Sequence, residues 1–335
     1  MSLEPGAWSL KPEACPFFGC VKIPIAVGCV LKTLFFFMAL HGNSWPVALL
    51  PSPSSTSLPQ HPRRAMTLLP TIPLQSKALV LCAGRGMRMR PLSDQTPKPL
   101  LAVHGKPLVV WHLERLARDG INQVLLNTAW LGGQIVDHFK AHPQDAPVRL
   151  AYSREDLDFG GALETAGGVV RALPQLADPF WVMAADVYSP GFVFAPKRLA
   201  AFAASPELAH VWLVPNPSHH PKGDFCISAE GLAFCPEDLR LDPALANPCA
   251  VQTYTFSTMA LYKKAFFNGP WCKIESGNTQ GLHAPLAPML KAAMKLGLVG
   301  ATLFKGFWCD VGTPERLSEL NATVPHAGSD PPQTP

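Results

Sequence analysis

The chain has 335 residues, enough for one large domain or two small ones with a sizeable core. Its 28 Lys and Arg against 24 Asp and Glu leave a net charge of +4 with both signs interspersed, which argues against a dedicated nucleic-acid binder while permitting small anionic substrates. Only 16% of residues are charged and 36 are proline, where globular chains carry about 25% charge and about 5% proline, so the composition reads as a mixture of a folded domain and something else. The nine cysteines are irregularly spaced, and Cys15 and Cys20 have no downstream Cys/His pair, so scattered reduced thiols of a cytosolic protein are expected rather than a zinc site.

Residues 1–76 are rich in proline, and the stretch from Trp45 to Ser76 has no apolar period. This region reads as a disordered or mis-started N-terminal extension and linker, with Met66 the expected natural start. Phe17 to Leu40 is apolar but is broken by Lys22, Pro24 and Lys32, short of the roughly 20 residues a spanning helix needs. Glu4 and Glu13 precede it where a signal peptide wants basic residues, so a cytoplasmic protein without a membrane segment is expected.

From Lys77 short β-rich runs alternate with helical patterns, the signature of an α/β domain with a largely parallel sheet. Ala78 to Cys82 reads as a buried first strand, and Leu108 to Gly120 as a helix with Gly120 as its C-terminal cap. Strands follow at Gln123–Asn127, Val148–Tyr152 and Phe180–Ala184, with helices at Leu131–Phe139 and Gly167–Leu173. Asp186 then falls just past a strand's C-terminal end, where ligands bind in open α/β sheets. Later strands are expected at His210–Val214, Phe225–Ser228, Phe256–Tyr262 and Val299–Phe304, with a helix near Leu286–Leu296. Thr313 and Pro314 make a good helix start. The working domain is expected over 77–321, followed by a disordered tail, 322–335.

The chemistry begins at Ala83-Gly84-Arg85-Gly86-Met87-Arg88-Met89-Arg90-Pro91-Leu92, followed by Thr96-Pro97-Lys98-Pro99-Leu100. Glycines after a buried strand let backbone N–H groups approach a polyanion, and Arg or Lys can neutralise its phosphates. The loop is not a dinucleotide fingerprint, because Met89 stands where the third glycine belongs, and no Gly-Lys-Ser/Thr makes it a Walker A loop. Arg85 and Arg88 can equally be a solvated basic loop. Asp186 and Asp310 are the carboxylates placed to hold a hard divalent cation, although an Asp at a strand end also caps turns.

Together, Gly84-x-Gly86, Arg90-Pro91-Leu92 and Pro97-Lys98-Pro99 resemble the sugar-1-phosphate nucleotidyltransferase family, and the likeness runs from about Lys77 to Leu320. It implies a Rossmann-like, three-layer α/β fold with a mixed, mostly parallel central sheet, and an enzyme that joins a nucleoside triphosphate to a sugar 1-phosphate. It assigns Arg90, Lys98 and Asp186 to catalysis, and Ala83, Gly84, Arg85, Gly86, Lys98, Asn127, Gly167 and Gly168 to the nucleotide. Glu164, Thr165, Asp224 and Trp130 are assigned to the sugar phosphate, and Asp186 and Asp310 to Mg²⁺. A helix N-cap alone would also explain Thr165. Asn127-Thr128-Ala129-Trp130-Leu131-Gly132 and His219-His220-Pro221-Lys222-Gly223-Asp224-Phe225 narrow the likeness to uridylyltransferases of bacterial cell-wall sugar recycling. These imply UTP as donor and N-acetylmuramate α-1-phosphate as acceptor. His219 and His220, being adjacent, are expected to diverge rather than share a metal.

Two positions depart from the family pattern. Ala184-Ala185-Asp186 stands where it has Asn-Gly-Asp, and Phe256-Ser257-Thr258 where it has Phe-Ser/Thr-Gly. The same motifs also allow another sugar and nucleotide pair, or a non-catalytic nucleotide-sugar sensor.

Overall fold

The computed structural model describes residues 75–240 and 252–323, all within the second of the chain's two units, Leu68–Pro335. The expectations for the proline-rich extension before residue 75 and for the tail beyond residue 323 lie outside the described residues.

Apolar alternation along the first strand sets the architecture. In β1 (Ser76–Cys82), Leu79 joins one core while Ala78, Val80 and Cys82 join another, so the strand is buried on both faces. It lies between two parallel partners, β2 (Gln123–Thr128) and β4 (Leu176–Ala184). With β3 (Arg149–Arg154), β6 (Ala209–Val214), β7 (Thr255–Tyr262) and β8 (Val299–Leu303) they form a seven-stranded sheet in the order β8-β6-β7-β4-β1-β2-β3. Only β7 runs antiparallel to its neighbours, which makes the sheet mixed and mostly parallel.

Helices cover both faces. Helix α1 (Leu108–Arg118) and α2 (Gly132–Ala141) pack on the side of Val80, Trp181 and Met183. Helices α3 (Glu164–Ala172) and α5 (Ala287–Met294) pack on the side of Leu79, Val182 and Val211. Gly120, at φ +82°, ends α1 as expected. Thr313 caps α6 (Pro314–Ala322), its hydroxyl accepting from the Arg316 N–H.

Three details differ from the sequence reading. Helix α3 begins at Glu164 rather than Gly167. Cys226–Ile227 pairs with Ala233–Phe234 in a separate hairpin instead of entering the sheet. Helix α4 (Pro196–Ala204) went unread; Phe202 is its one buried side chain, with Leu199 partly buried beside it. Among the described residues no helix is long and apolar enough to cross a membrane.

The wholly buried Trp181 sits with ring centroids 5.0 Å from Trp212 and 5.2 Å from Phe194. Truncation here removes a large apolar group from a close-packed layer. Trp181→Ala is expected to lower unfolding stability by about 3–5 kcal/mol, measured by urea titration.

Candidate active site

The glycine loop leaves β1 at the C-terminal edge of the sheet. Gly86 has φ +63°, the left-handed region that favours glycine, while a Cβ there would make only ordinary contact, 3.5 Å from the Lys98 and Ser93 side chains, so the backbone rather than the space calls for glycine. The Gly86 carbonyl accepts from Ser93 Oγ and Met89 N, each at 2.8 Å, which closes the loop onto the following turn. Met89 is buried against Val311 and Tyr188, and this anchors the loop to the far end of the chain.

Two short strands complete the edge. In β5 (Val187–Tyr188) and β9 (Cys309–Asp310), Val187 pairs with Asp310, and the Val311 N–H donates to the Asp186 carbonyl at 2.8 Å. Two aspartates far apart in sequence, Asp186 in the turn before β5 and Asp310 in β9, are therefore brought together. The buried Lys98 donates to Asp186 Oδ2 at 2.5 Å. Asp310 Oδ2 accepts from Arg316 at 2.5 Å. Its Oδ1 is buried 2.9 Å from His219 Nε2, outside hydrogen-bonding geometry, and has no donor among the described residues.

Among the described residues no group of three or more His, Cys, Asp and Glu could enclose a metal unaided. Two hard carboxylates, one with an orphaned buried oxygen, would nevertheless fit a Mg²⁺ ion whose remaining ligands were phosphate oxygens.

Two cavities adjoin here. The first, about 380 Å³, is lined by Gly84, Gly86, Arg88, Lys98 and Asp186 among others. The second, about 590 Å³, is lined by the polar Glu164, Thr165 and Asp224 and by the apolar Phe225, Phe256, Leu286 and Leu290 among others. Leu81, Thr165 and Ala184 line both. Asp224 is pinned from two sides: Oδ2 accepts from the Phe256 N–H at 2.8 Å, and Oδ1 lies 3.1 Å from His220 Nε2. His219 turns instead to Arg316 at 2.8 Å, so the adjacent histidines diverge.

Several expected site residues lie elsewhere. Asn127 does not face the nucleotide cleft. It is buried, accepting from the Cys82 N–H through Oδ1 and donating to Glu155 Oε1, both at 2.8 Å. Glu155, whose carboxyl is pushed up by burial, also accepts from the Leu163 N–H at 2.9 Å.

Gly167 and Gly168 are buried too, in close packing contacts. The Gly167 N–H is given to the Ala284 carbonyl, while a Cβ on Gly168 would meet Glu155 Oε1 at 2.6 Å. Trp130 is not in the sugar cavity; it lies under the glycine loop, with Arg85 4.3 Å over its ring and its Nε1 donating to the Ser93 carbonyl. Arg90 is exposed and paired with Asp94 at 2.9 Å, whereas Arg88 lines the cleft. Glu155, Arg316 and the apolar lining of the second cavity went unassigned in the sequence reading.

The fold is that of known nucleotidyltransferases. The CTP:phosphocholine cytidylyltransferase of Streptococcus pneumoniae superposes with a TM-score of 0.50 at 18% identity, covering 74% of this chain and 98% of that one. HddC of Yersinia pseudotuberculosis superposes with a TM-score of 0.52 at 18% identity, covering 73% and 97%. The Nucleotidyl transferase family model matches residues 77–223. The N-acetylmuramate alpha-1-phosphate uridylyltransferase of Neisseria meningitidis is 41% identical over 247 residues, 73% of this chain and 97% of that protein. Its namesake in Caulobacter vibrioides is 34% identical over 259 residues, 75% and 97%. The chain is thus a nucleotidyltransferase, and it belongs to the sugar-1-phosphate nucleotidyltransferase family.

Asn127→Ala strands the buried Cys82 N–H and Glu155 Oε1 without partners, and is expected to cost about 2–4 kcal/mol in thermal unfolding. Gly168→Ala crowds the same carboxylate, so the two losses combine less than additively.

Proposed function

We propose that this enzyme transfers the uridylyl group of UTP to N-acetylmuramate α-1-phosphate, releasing pyrophosphate, in the cytoplasmic recycling of peptidoglycan sugar. The observation that carries the reading is the mixed lining of the second cavity, which shares Thr165 and Ala184 with the first: Glu164, Thr165 and Asp224 are polar, and Phe225, Phe256, Leu286 and Leu290 are apolar. Such a lining can pair with the hydroxyls of a sugar ring and cover an acetamido methyl, a group that plain glucose lacks. Similarity to the uridylyltransferases of Neisseria meningitidis and Caulobacter vibrioides supports the same pair of substrates.

In this reading the triphosphate lies along the glycine loop, where Gly84 and Gly86 keep the backbone open to it and Arg88 faces it from the cleft wall. A phosphate oxygen of the acceptor attacks the α-phosphorus in line, the bond to the bridging oxygen breaks, and pyrophosphate carries the electron pair away. No general base is needed, because the acceptor phosphate is already an anion near pH 7. The protein's work is positioning and charge compensation. Lys98, fixed against Asp186, presents a buried ammonium to the phosphates. Arg90 joins it on the leaving pyrophosphate by exchanging Asp94 for phosphate oxygens. Asp186 and Asp310 would hold Mg²⁺, which supplies positive charge to the phosphate oxygens between them.

Pyrophosphate release from a panel of nucleoside triphosphates against sugar 1-phosphates tests this directly. UTP with N-acetylmuramate α-1-phosphate is expected to give the highest kcat/KM, and chelation of divalent ions to abolish turnover. Faster turnover of glucose 1-phosphate or mannose 1-phosphate would reassign the acceptor, and nucleotide binding without any release would make the protein a sensor. Asp186→Asn is expected to reduce kcat at least about 100-fold.

A further inference from the structure

Thr258 carries a feature that the chemistry above does not use. It is a β-branched residue at φ +70°, in the left-handed region such side chains avoid. It sits in the irregular stretch of β7 where the pairing with β6 shifts between Phe256 and Ala260. Ser257 holds that bulge from several sides. Its Oγ donates to the Trp212 carbonyl at 2.6 Å and accepts from the Met259 N–H at 3.2 Å, and its carbonyl accepts from Trp308 Nε1 at 3.1 Å. A strained backbone persists where its surroundings over-determine it, and such sites gather where function needs them.

The Thr258 side chain lines the second cavity. On β4, Val182 pairs with Ala260, two residues after Thr258 on β7. Thr258 Oγ1 accepts from the Ala184 N–H at 3.4 Å. Ala184 borders both cavities and lies two residues before Asp186. The two departures from the family pattern, a side chain shortened at 184 and one gained at 258, therefore meet at one point in the wall between nucleotide and acceptor.

We propose that Thr258 is a specificity-determining residue for the acceptor. Its side chain replaces volume that Ala184 leaves open and closes the end of the second cavity nearest Asp186, so that the sugar phosphate enters in one pose. The inference rests on the reading of that cavity as the acceptor site. Glycine at 258 keeps the backbone conformation without strain, so the bulge survives its introduction while the wall does not.

The test uses the full chain with UTP and two acceptors that differ by the lactyl ether, N-acetylmuramate α-1-phosphate and N-acetylglucosamine α-1-phosphate. Thr258→Gly is expected to raise KM for the preferred acceptor about tenfold and to shrink the preference between acceptors by a similar factor. KM for UTP stays within about twofold and the variant melts no lower than wild type. Thr258→Ser, which keeps the hydroxyl, recovers most of the preference. Ala184→Asn combined with Thr258→Gly refills the wall and brings acceptor KM closer to wild type than either single change. An active wild type whose preference is unmoved by Thr258→Gly, or a rise in UTP KM parallel to that for the acceptor, overturns the proposal. A wild type that turns over neither acceptor overturns the acceptor reading, and this inference with it.

Discussion

The antiparallel pairing of Val187 with Asp310 is the contact on which the site depends. Asp186 belongs to the turn after a central strand, Asp310 to the approach to the last helix, and nothing local relates them. The ladder bond from the Val311 N–H to the Asp186 carbonyl sets the two backbones side by side. The buried cluster of Met89, Tyr188, Val311 and Leu317 keeps them there and ties in the glycine loop as well. One small apolar core thus fixes the phosphate loop relative to both carboxylates, which is the preorganisation that phosphoryl chemistry draws on.

Charge in this region is paired in a way that matters for binding. Lys98 meets Asp186 across 88 residues of sequence, and Arg316 of the following helix meets Asp310 Oδ2, so each carboxylate is held by a cation. Such contacts compensate partly buried carboxylates and fix their orientation. Of these cations, Lys98 also lines the first cavity. Behind the loop, Asn127 and Glu155 satisfy the backbone of Cys82 and Leu163. They act as positioning residues rather than ligand contacts.

The division between what was legible in the sequence and what was not follows the range of the interactions. The alternating strands, the glycine loop, Lys98 and the two aspartates are local patterns, and the strands and helices around them fall close to where periodicity puts them. Asn127, Gly167 and Gly168 are given to the nucleotide by the family resemblance, which matches motifs and does not see what each side chain packs against. Their actual partners, Glu155, Leu282 and Ala284, come from other segments that no local window contains. Trp130 was misplaced for the same reason, since its partner is Arg85 on a different loop. The apolar lining of the second cavity is assembled from β7, α5 and the segment at Phe225, and only the folded chain brings these together.

The central claim is that Asp186 and Asp310 act together on one divalent ion beside the nucleotide. Electron paramagnetic resonance of Mn²⁺ binding in the presence of UTP measures this without turnover, comparing wild type with Asp186→Asn and Asp310→Asn. The account predicts that each substitution weakens Mn²⁺ binding by about tenfold or more. Wild-type affinity in the Asp310→Asn protein would contradict it.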